Sequence, residues 1–249
     1  MVGDALEGLQ TLRYREDGDV AHVTLARVRI DMAMVRELTK VCDHLEDESA
    51  CKVVVFRGAN GQFSEGIDFK DFRPDQPMDI HGFNKWEKCC VRIERLPKAT
   101  ISIVEGTCSG GGAQLALVTD ATIAHPSARI HFNEVHLGFL PGMATFRLAK
   151  HVGLGHAKRL IMQCPVIEPE EALSLGLVQT ISDDLDGALA LMIEAFGPIH
   201  TVAVHLARRL LNESYSVDFE NAVGHFLAAQ HRAIGQTAFL ETLKRQREE

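Results

Sequence analysis

No stretch of this chain approaches the ~18 consecutive apolar residues that cross a bilayer as a helix. The opening segment, MVGDALEGLQTLRYREDGD, has acids where a secretory leader would have its apolar core. Cations are also in short supply, with 26 Lys and Arg against 34 Asp and Glu and a formal net charge of −8. Nucleic-acid surfaces need clustered Lys and Arg, so nucleic acid is excluded as the main partner. A local anion site at a helix N-terminus is compatible with any global charge. The six cysteines, Cys42, Cys51, Cys89, Cys90, Cys108 and Cys164, show no paired metal-ligand spacing, and two of them are adjacent. Free buried thiols and no metal centre are the expectation. The sequence holds no GxxxxGK[ST], and no GxGxxG followed by a suitably placed acid, so its glycines are not a nucleotide fingerprint. A cytoplasmic protein without a membrane or nucleic-acid partner is expected.

What the chain does have is a 46% hydrophobic, 24% charged balance over 249 residues, enough for one large domain with a small appendage. Residues 9–26 read as two strands around the turn EDGD, whose Asp-Gly pair supplies hairpin chemistry. Met34, Val35, Leu38, Val41 and Leu45 repeat at helical spacing over 32–48. The apolar, β-branched runs at 52–57, 99–104 and 119–124 have the composition of strands buried on both faces. From about residue 155 the pattern turns helical, through GHAKRLIMQ, PEEALSLG, DGALALMIEAFG, HTVAVHLARRLLNES and a last segment from Val217 to Arg247. The expectation is an α/β core over 1–195, with a parallel-rich sheet, and a helical region over 196–249.

Two glycine-containing turns follow predicted strands: Phe63-Ser-Glu-Gly-Ile-Asp-Phe-Lys70, and Gly106-Thr-Cys-Ser-Gly-Gly-Gly-Ala-Gln114. Successive glycines let the backbone approach a ligand closely. The helix they open presents free N–H groups to negative charge. Two such turns at neighbouring strand ends can aim two N–H donors at one developing oxyanion. Gly110-Gly111-Gly112 alone also fits a tight strand-to-helix connection.

The ordered segments FSEGIDFKDF, LPKATISIVEGTCSGGGAQLAL, TDATIA, FNEVHLGFLPG and EPEEALSLGLV resemble the crotonase (enoyl-CoA hydratase/isomerase) superfamily, from about Val20 to Lys244. The resemblance implies a spiral of repeated ββα units with a C-terminal helical trimerisation region, assembled as a homotrimer or dimer of trimers. It implies CoA or phosphopantetheine thioesters as substrates, with no permanently bound cofactor, and an acyl carrier protein as a possible partner. By position, Ile67 and Gly111 supply the oxyanion N–H groups, next to Gly110, and the backbone around Glu65 and Phe69 holds the adenine end of CoA. A hydratase of this family has two carboxylates, and here the corresponding positions are Gln114 and Glu134. Hydration needs one group for the water and one for the α-proton, whereas a single carboxylate suits a 1,3-proton shift. An enoyl-CoA isomerase with Glu134 as base is therefore expected first, then a hydratase or dehydratase in which Gln114 orients water. A thioester decarboxylase of polyketide β-branching, which the turn GFLPGMATFRL resembles, comes third, and a weakly catalytic scaffold subunit is the remaining alternative.

In this family the region 72–92 lines the acyl pocket, which brings in His81, Lys85 and Trp86. Strand alternation, if the segment is extended, puts His136 on the face of Glu134 and His131 on the other. Lys244 matches a position from which the family presents a cation to a CoA phosphate. The loop ARVRIDMAM lacks the family's usual Asn and Pro, leaving Arg27 or Arg29 as replacement cations.

Overall fold

The computed structural model describes residues 6–72, 75 and 80–248. The chain divides into two compact units, Met1–Gly197 and Pro198–Glu249.

The first unit repeats one motif four times: a longer strand, a shorter strand, then a helix. The first turn is β2 (Val20–Leu25), β3 (Arg29–Ile30) and α1 (Met32–Asp47), preceded by β1 (Leu12–Asp17); the second is β4 (Val53–Gly58), β5 (Gly66–Ile67) and α2 (His81–Glu94). The third is β6 (Ala99–Val104), β7 (Thr107–Ser109) and α3 (Gly111–Leu117); the fourth is β8 (Ala121–Ala124), β9 (Arg129–His131) and α4 (Ala144–Met162). The longer strands build a six-stranded sheet in the order β1-β2-β4-β6-β8-β11, where β11 is Thr180–Ile181. Only β1 runs antiparallel to its neighbour, paired through the two-residue turn Gly18-Asp19. The central strands β4, β6 and β8 have almost every side chain buried, which is why they read as continuous apolar runs rather than alternating ones.

The short strands form a second layer. β3 pairs with β5, and β7 pairs with β9, which pairs in turn with β10 (Val166–Ile167). A single bridge between Ser64 and Cys108 joins these two small sheets. None of these two- and three-residue strands was legible in the sequence, because they are too short to show a period. For the same reason the reading of residues beyond 155 as purely helical is corrected: β10 and β11 lie within it, separated by α5 (Pro169–Ser174) and followed by α6 (Leu185–Phe196). The helix read from 155 begins at Ala144, with a break at Gly153.

The second unit contains α7 (Thr201–Glu213), α8 (Phe219–Ile234) and α9 (Thr237–Glu248), the last two separated at Gly235 and Gln236. α8 has no buried residue.

One carboxylate fastens the start of β1 to α1. Glu37 accepts from the backbone N–H groups of Gln10, Thr11 and Leu12 and from the Thr11 hydroxyl, at 2.6–3.1 Å. Partial burial opposes ionisation, but these donors prevail and hold the Glu37 carboxyl below the usual range. Its contribution is present above the ordinary glutamate value of about 4.3 and is lost as pH falls through the lower folded value. Glu37→Gln is expected to lower stability by about 1–2 kcal/mol at neutral pH, with the deficit closing in acid. Thermal melts of both proteins across pH check this.

Candidate active site

The two glycine turns meet at the edge of the second layer. Ser64 donates its N–H to Thr107 O and accepts from Ser109 N–H, each at 2.8 Å, so the first turn is stitched onto β7. Its hydroxyl donates to Val28 O at 3.0 Å and accepts from Gly66 N–H at 3.1 Å. Gly66 has φ of +85°, and a Cβ there would lie 3.0 Å from Ser109 O and 3.3 Å from Gly111 N. The segment ARVRI, which lacks the family's usual loop residues, forms β3 and backs β5. Because Asp68 N–H is spent on Ile30 O at 2.9 Å, alternation along the strand turns the N–H of Ile67 away from β3. Gly111 opens α3, where no intrahelical acceptor exists for its N–H.

The three glycines of the second turn each have a different close neighbour. A Cβ on Gly110 would lie 2.9 Å from Glu134 Oε1, one on Gly111 3.1 Å from Ile30 Cδ1, and one on Gly112 2.6 Å from Ser64 Cβ. Gly110, at φ of +52°, thereby leaves the space that brings the Glu134 carboxyl against the backbone. Gly110 N–H donates to His131 O at 3.0 Å, fixing the turn on β9.

Glu134 begins a 3₁₀ turn, Glu134–Leu137. It is 4% exposed, and its Oε2 has no hydrogen-bond partner among the described residues. Burial pushes the Glu134 carboxyl above its ordinary range, partly opposed by a backbone hydrogen bond. A cavity of about 340 Å³ brings Glu134 together with Ile67, Gly110 and Gly111, and with Glu65 and Phe69. Arg29 also lines it, its guanidinium 2.7 Å from Glu65 in a half-exposed pair. Arg27 instead pairs with Asp31 at 3.2 Å.

Several expectations are corrected. His136 does not line the cavity and is exposed, whereas His131 does line it. Residues 134–137 form a 3₁₀ turn rather than a strand, so the period-two argument fails there. His131 Nε2 donates to Cys164 O at 2.9 Å, which fixes its tautomer. Gln114 is not among the residues lining that cavity, but it is buried and its Oε1, like Glu134 Oε2, has no hydrogen-bond partner among the described residues. Its amide packs behind Gly142, where a Cβ would lie 3.0 Å from Gln114 Oε1 and 2.7 Å from Glu87 Oε1. Trp86 is buried beneath Gly111, with two ring carbons 3.7 Å from the position of a Cβ there, and does not line the cavity. His81 and Lys85 are exposed on α2, and residues 73, 74 and 76–79 of the expected acyl-pocket region lie outside those described. Lys244 is on α9 of the second unit with its side chain exposed.

Sequence reasoning missed Thr107, Ser109, Asn133, Leu137 and Phe139 of the lining. Thr107 and Ser109 alternate with the fully buried Cys108 along β7, a period too short to stand out. It also missed a buried ion network that holds the turn after Glu134. Glu87 accepts from Met143 N–H and from Arg147, each at 3.0 Å, and Arg147 also pairs with Glu94 at 3.3 Å.

A spiral of four ββα turns, with two glycine turns converging on a buried carboxyl at the edge of its short strands, defines a crotonase-fold protein. The chain belongs to the enoyl-CoA hydratase/isomerase family, whose profile matches residues 15–249. It is 32% identical over 206 residues to an enoyl-CoA-hydratase of Amycolatopsis orientalis, covering 83% of this chain and 91% of that protein. It is 30% identical over 255 residues to the short-chain-enoyl-CoA hydratase of Clostridium acetobutylicum, covering 95% and 97%. The solved enoyl-CoA hydratase of Shewanella pealeana superposes with a TM-score of 0.89 at 24% identity, over 98% of this chain and 96% of that one. That of Bacillus anthracis does so with 0.87 at 26% identity, over 96% of each.

The raised Glu134 has a sign consequence for stability. A carboxyl whose folded value lies above its unfolded one adds stability below the unfolded value, and that stability is lost as pH rises through the folded value. Glu134→Gln removes this penalty, so its melting temperature is expected to exceed wild type at pH 8 and converge with it near pH 4. Thermal denaturation at the two pH values decides the point. Gly66→Ala, which forces a methyl against Ser109 O and Gly111 N at positive φ, is expected to cost about 1–3 kcal/mol, measured by denaturant unfolding.

Proposed function

We propose that this protein hydrates a 2-enoyl-CoA thioester, or runs the reverse dehydration, with Glu134 handling the proton at the α-carbon. The observation that carries this reading is the Glu134 carboxyl itself, which is buried, pushed towards its neutral form by desolvation, and in the same cavity as Ile67 and Gly111. A buried carboxyl biased towards its neutral form is suited to give up a proton. Hydration consumes an acid, because the enolate formed when water adds to the β-carbon must be protonated at the α-carbon.

In this reading the N–H groups of Ile67 and Gly111 hold the thioester oxygen as the C=C electrons move onto it. Donors fixed by strand pairing and by a helix start need no reorganisation as charge develops, which is the source of their catalytic effect. Glu134 gives its proton to the α-carbon and recovers one from the attacking water, so hydroxyl and hydrogen are added with no net change in the enzyme. Gln114, buried beside Gly142 with an unpartnered Oε1, is available to accept a hydrogen bond from the attacking water. The names of the relatives agree with hydration.

One observation favours a second reading, a proton shift between 3-enoyl and 2-enoyl thioesters. The other carboxyl of the cavity, Glu65, is engaged by Arg29, leaving one group to remove and return a proton. The two readings differ in the sign of their pH dependence. Hydration uses the neutral acid and slows as pH rises through the raised value, whereas isomerisation uses the ionised base and accelerates.

The test is to incubate the protein separately with crotonyl-CoA and with a 3-enoyl-CoA across pH and to analyse products by mass. Gain of one water from crotonyl-CoA, slowing at high pH and falling at least ~100-fold in Glu134→Gln, is the expected result. Isomerisation of the 3-enoyl-CoA without water gain, rising with pH, would establish the second reading. Hydration untouched by the substitution would remove Glu134 from either mechanism.

A further inference from the structure

Four phenylalanines from three parts of the chain form a closed circuit beside the cavity. Phe69 and Phe72 lie at either end of a 3₁₀ turn, Phe83 is on α2, and Phe139 follows the turn that carries Glu134. Ring centroids are 5.6 Å apart for Phe69–Phe72, 5.9 Å for Phe72–Phe83, 6.4 Å for Phe83–Phe139 and 5.6 Å for Phe69–Phe139. The Phe69–Phe139 pair is edge-to-face at 86°, and the other three are tilted by 50–52°. These are the separations and attitudes at which aromatic rings attract one another beyond simple burial.

The circuit is not part of the core. None of the four rings is fully buried, and Phe69 remains 43% exposed. Phe69 and Phe139 line the same cavity as Ile67, Gly111 and Glu134, next to Leu137, which is 58% exposed. The cavity that holds the two N–H groups thus also has an incomplete aromatic cluster in its wall.

We propose that the acyl group this site selects is a short one ending in an aromatic ring, conjugated with the thioester as in a cinnamoyl group. This rests on the thioester reading above and adds its substrate class. A flat ring entering beside Phe69 and Phe139 meets one ring edge and one ring face, continuing the geometry that the four rings already share. An alkyl chain gains only the burial. A long chain is further disfavoured by the cavity, whose volume of about 340 Å³ is at the small end of pockets for organic ligands. An acyl group with its own carboxylate is disfavoured by charge, because Arg29 is already paired with Glu65 and Glu134 is buried nearby.

The test separates selection from turnover by using unreactive saturated thioesters. Binding of 3-phenylpropionyl-CoA and hexanoyl-CoA is measured by calorimetry on wild type, Phe139→Leu and Phe69→Leu, each with its melting curve. The phenyl compound is expected to bind roughly tenfold more tightly to wild type. In either folded variant that advantage should shrink to about threefold or less, with hexanoyl-CoA little changed. Equal wild-type affinities, or equal losses of both ligands in the variants, would overturn the proposal, and the wild-type comparison stands even if neither variant folds. Parallel turnover of cinnamoyl-CoA and crotonyl-CoA distinguishes the two failures. Selective binding without turnover of either overturns the proposed hydration alone, and turnover of both without selective binding overturns the aromatic preference alone.

Discussion

The constraint on which the candidate site depends is the approach of two backbone segments with no side chain between them. Gly66 faces Ser109 O and Gly111 N across a gap that one methyl would fill. The two turns that carry Ile67 and Gly111 meet at that contact. Ser64 holds the first turn on β7, β3 holds it from the other side, and β9 holds the second turn through Gly110 N–H. The short strands therefore act less as a sheet than as a jig. They add little core, but they fix where two N–H groups and one carboxyl point.

That jig is braced from behind by charge. Arg147, 7% exposed, sits between Glu87 and Glu94 of α2 and so links that helix to α4. Glu87 spends its other oxygen on Met143 N–H, in the turn after Glu134. Arg147 is buried while both glutamates stay partly exposed, so removing a glutamate leaves the buried guanidinium short of a partner. The network thus restrains the segment that follows Glu134. Gln114 lies close to the same brace at Gly142, buried and with its Oε1 without a hydrogen-bond partner among the described residues.

The long strands, α1 and both glycine turns were legible in the sequence, because each has a pattern that physical chemistry forces. Strands buried on both faces read as apolar runs, an amphipathic helix repeats every three to four residues, and close backbone approach demands glycine. Glu134 was legible from its place before the Leu-Gly-x-x-Pro-Gly turn. What was not legible was direction. His136 and His131 exchanged roles because four residues wound into a 3₁₀ turn instead of continuing a strand. The close approach of the Gln114 amide to Gly142 was not legible either. The aromatic circuit joins residues 69, 72, 83 and 139, a set of long-range neighbours that no local spacing connects.

The six cysteines acquire a meaning from the company they keep. A protein that holds activated acyl thioesters risks acylating itself, because any ionised thiol within reach can exchange with the thioester and strand the acyl group on the chain. All six thiols are buried, and burial pushes those of Cys51, Cys90 and Cys108 above their ordinary range. Cys42 is raised chiefly by its hydrogen bond with Cys89, with burial adding to it. Cys108 is the telling case. It lies between two residues of the cavity wall, yet strand alternation turns its sulfur away from the cavity and into the core, where it is fully buried.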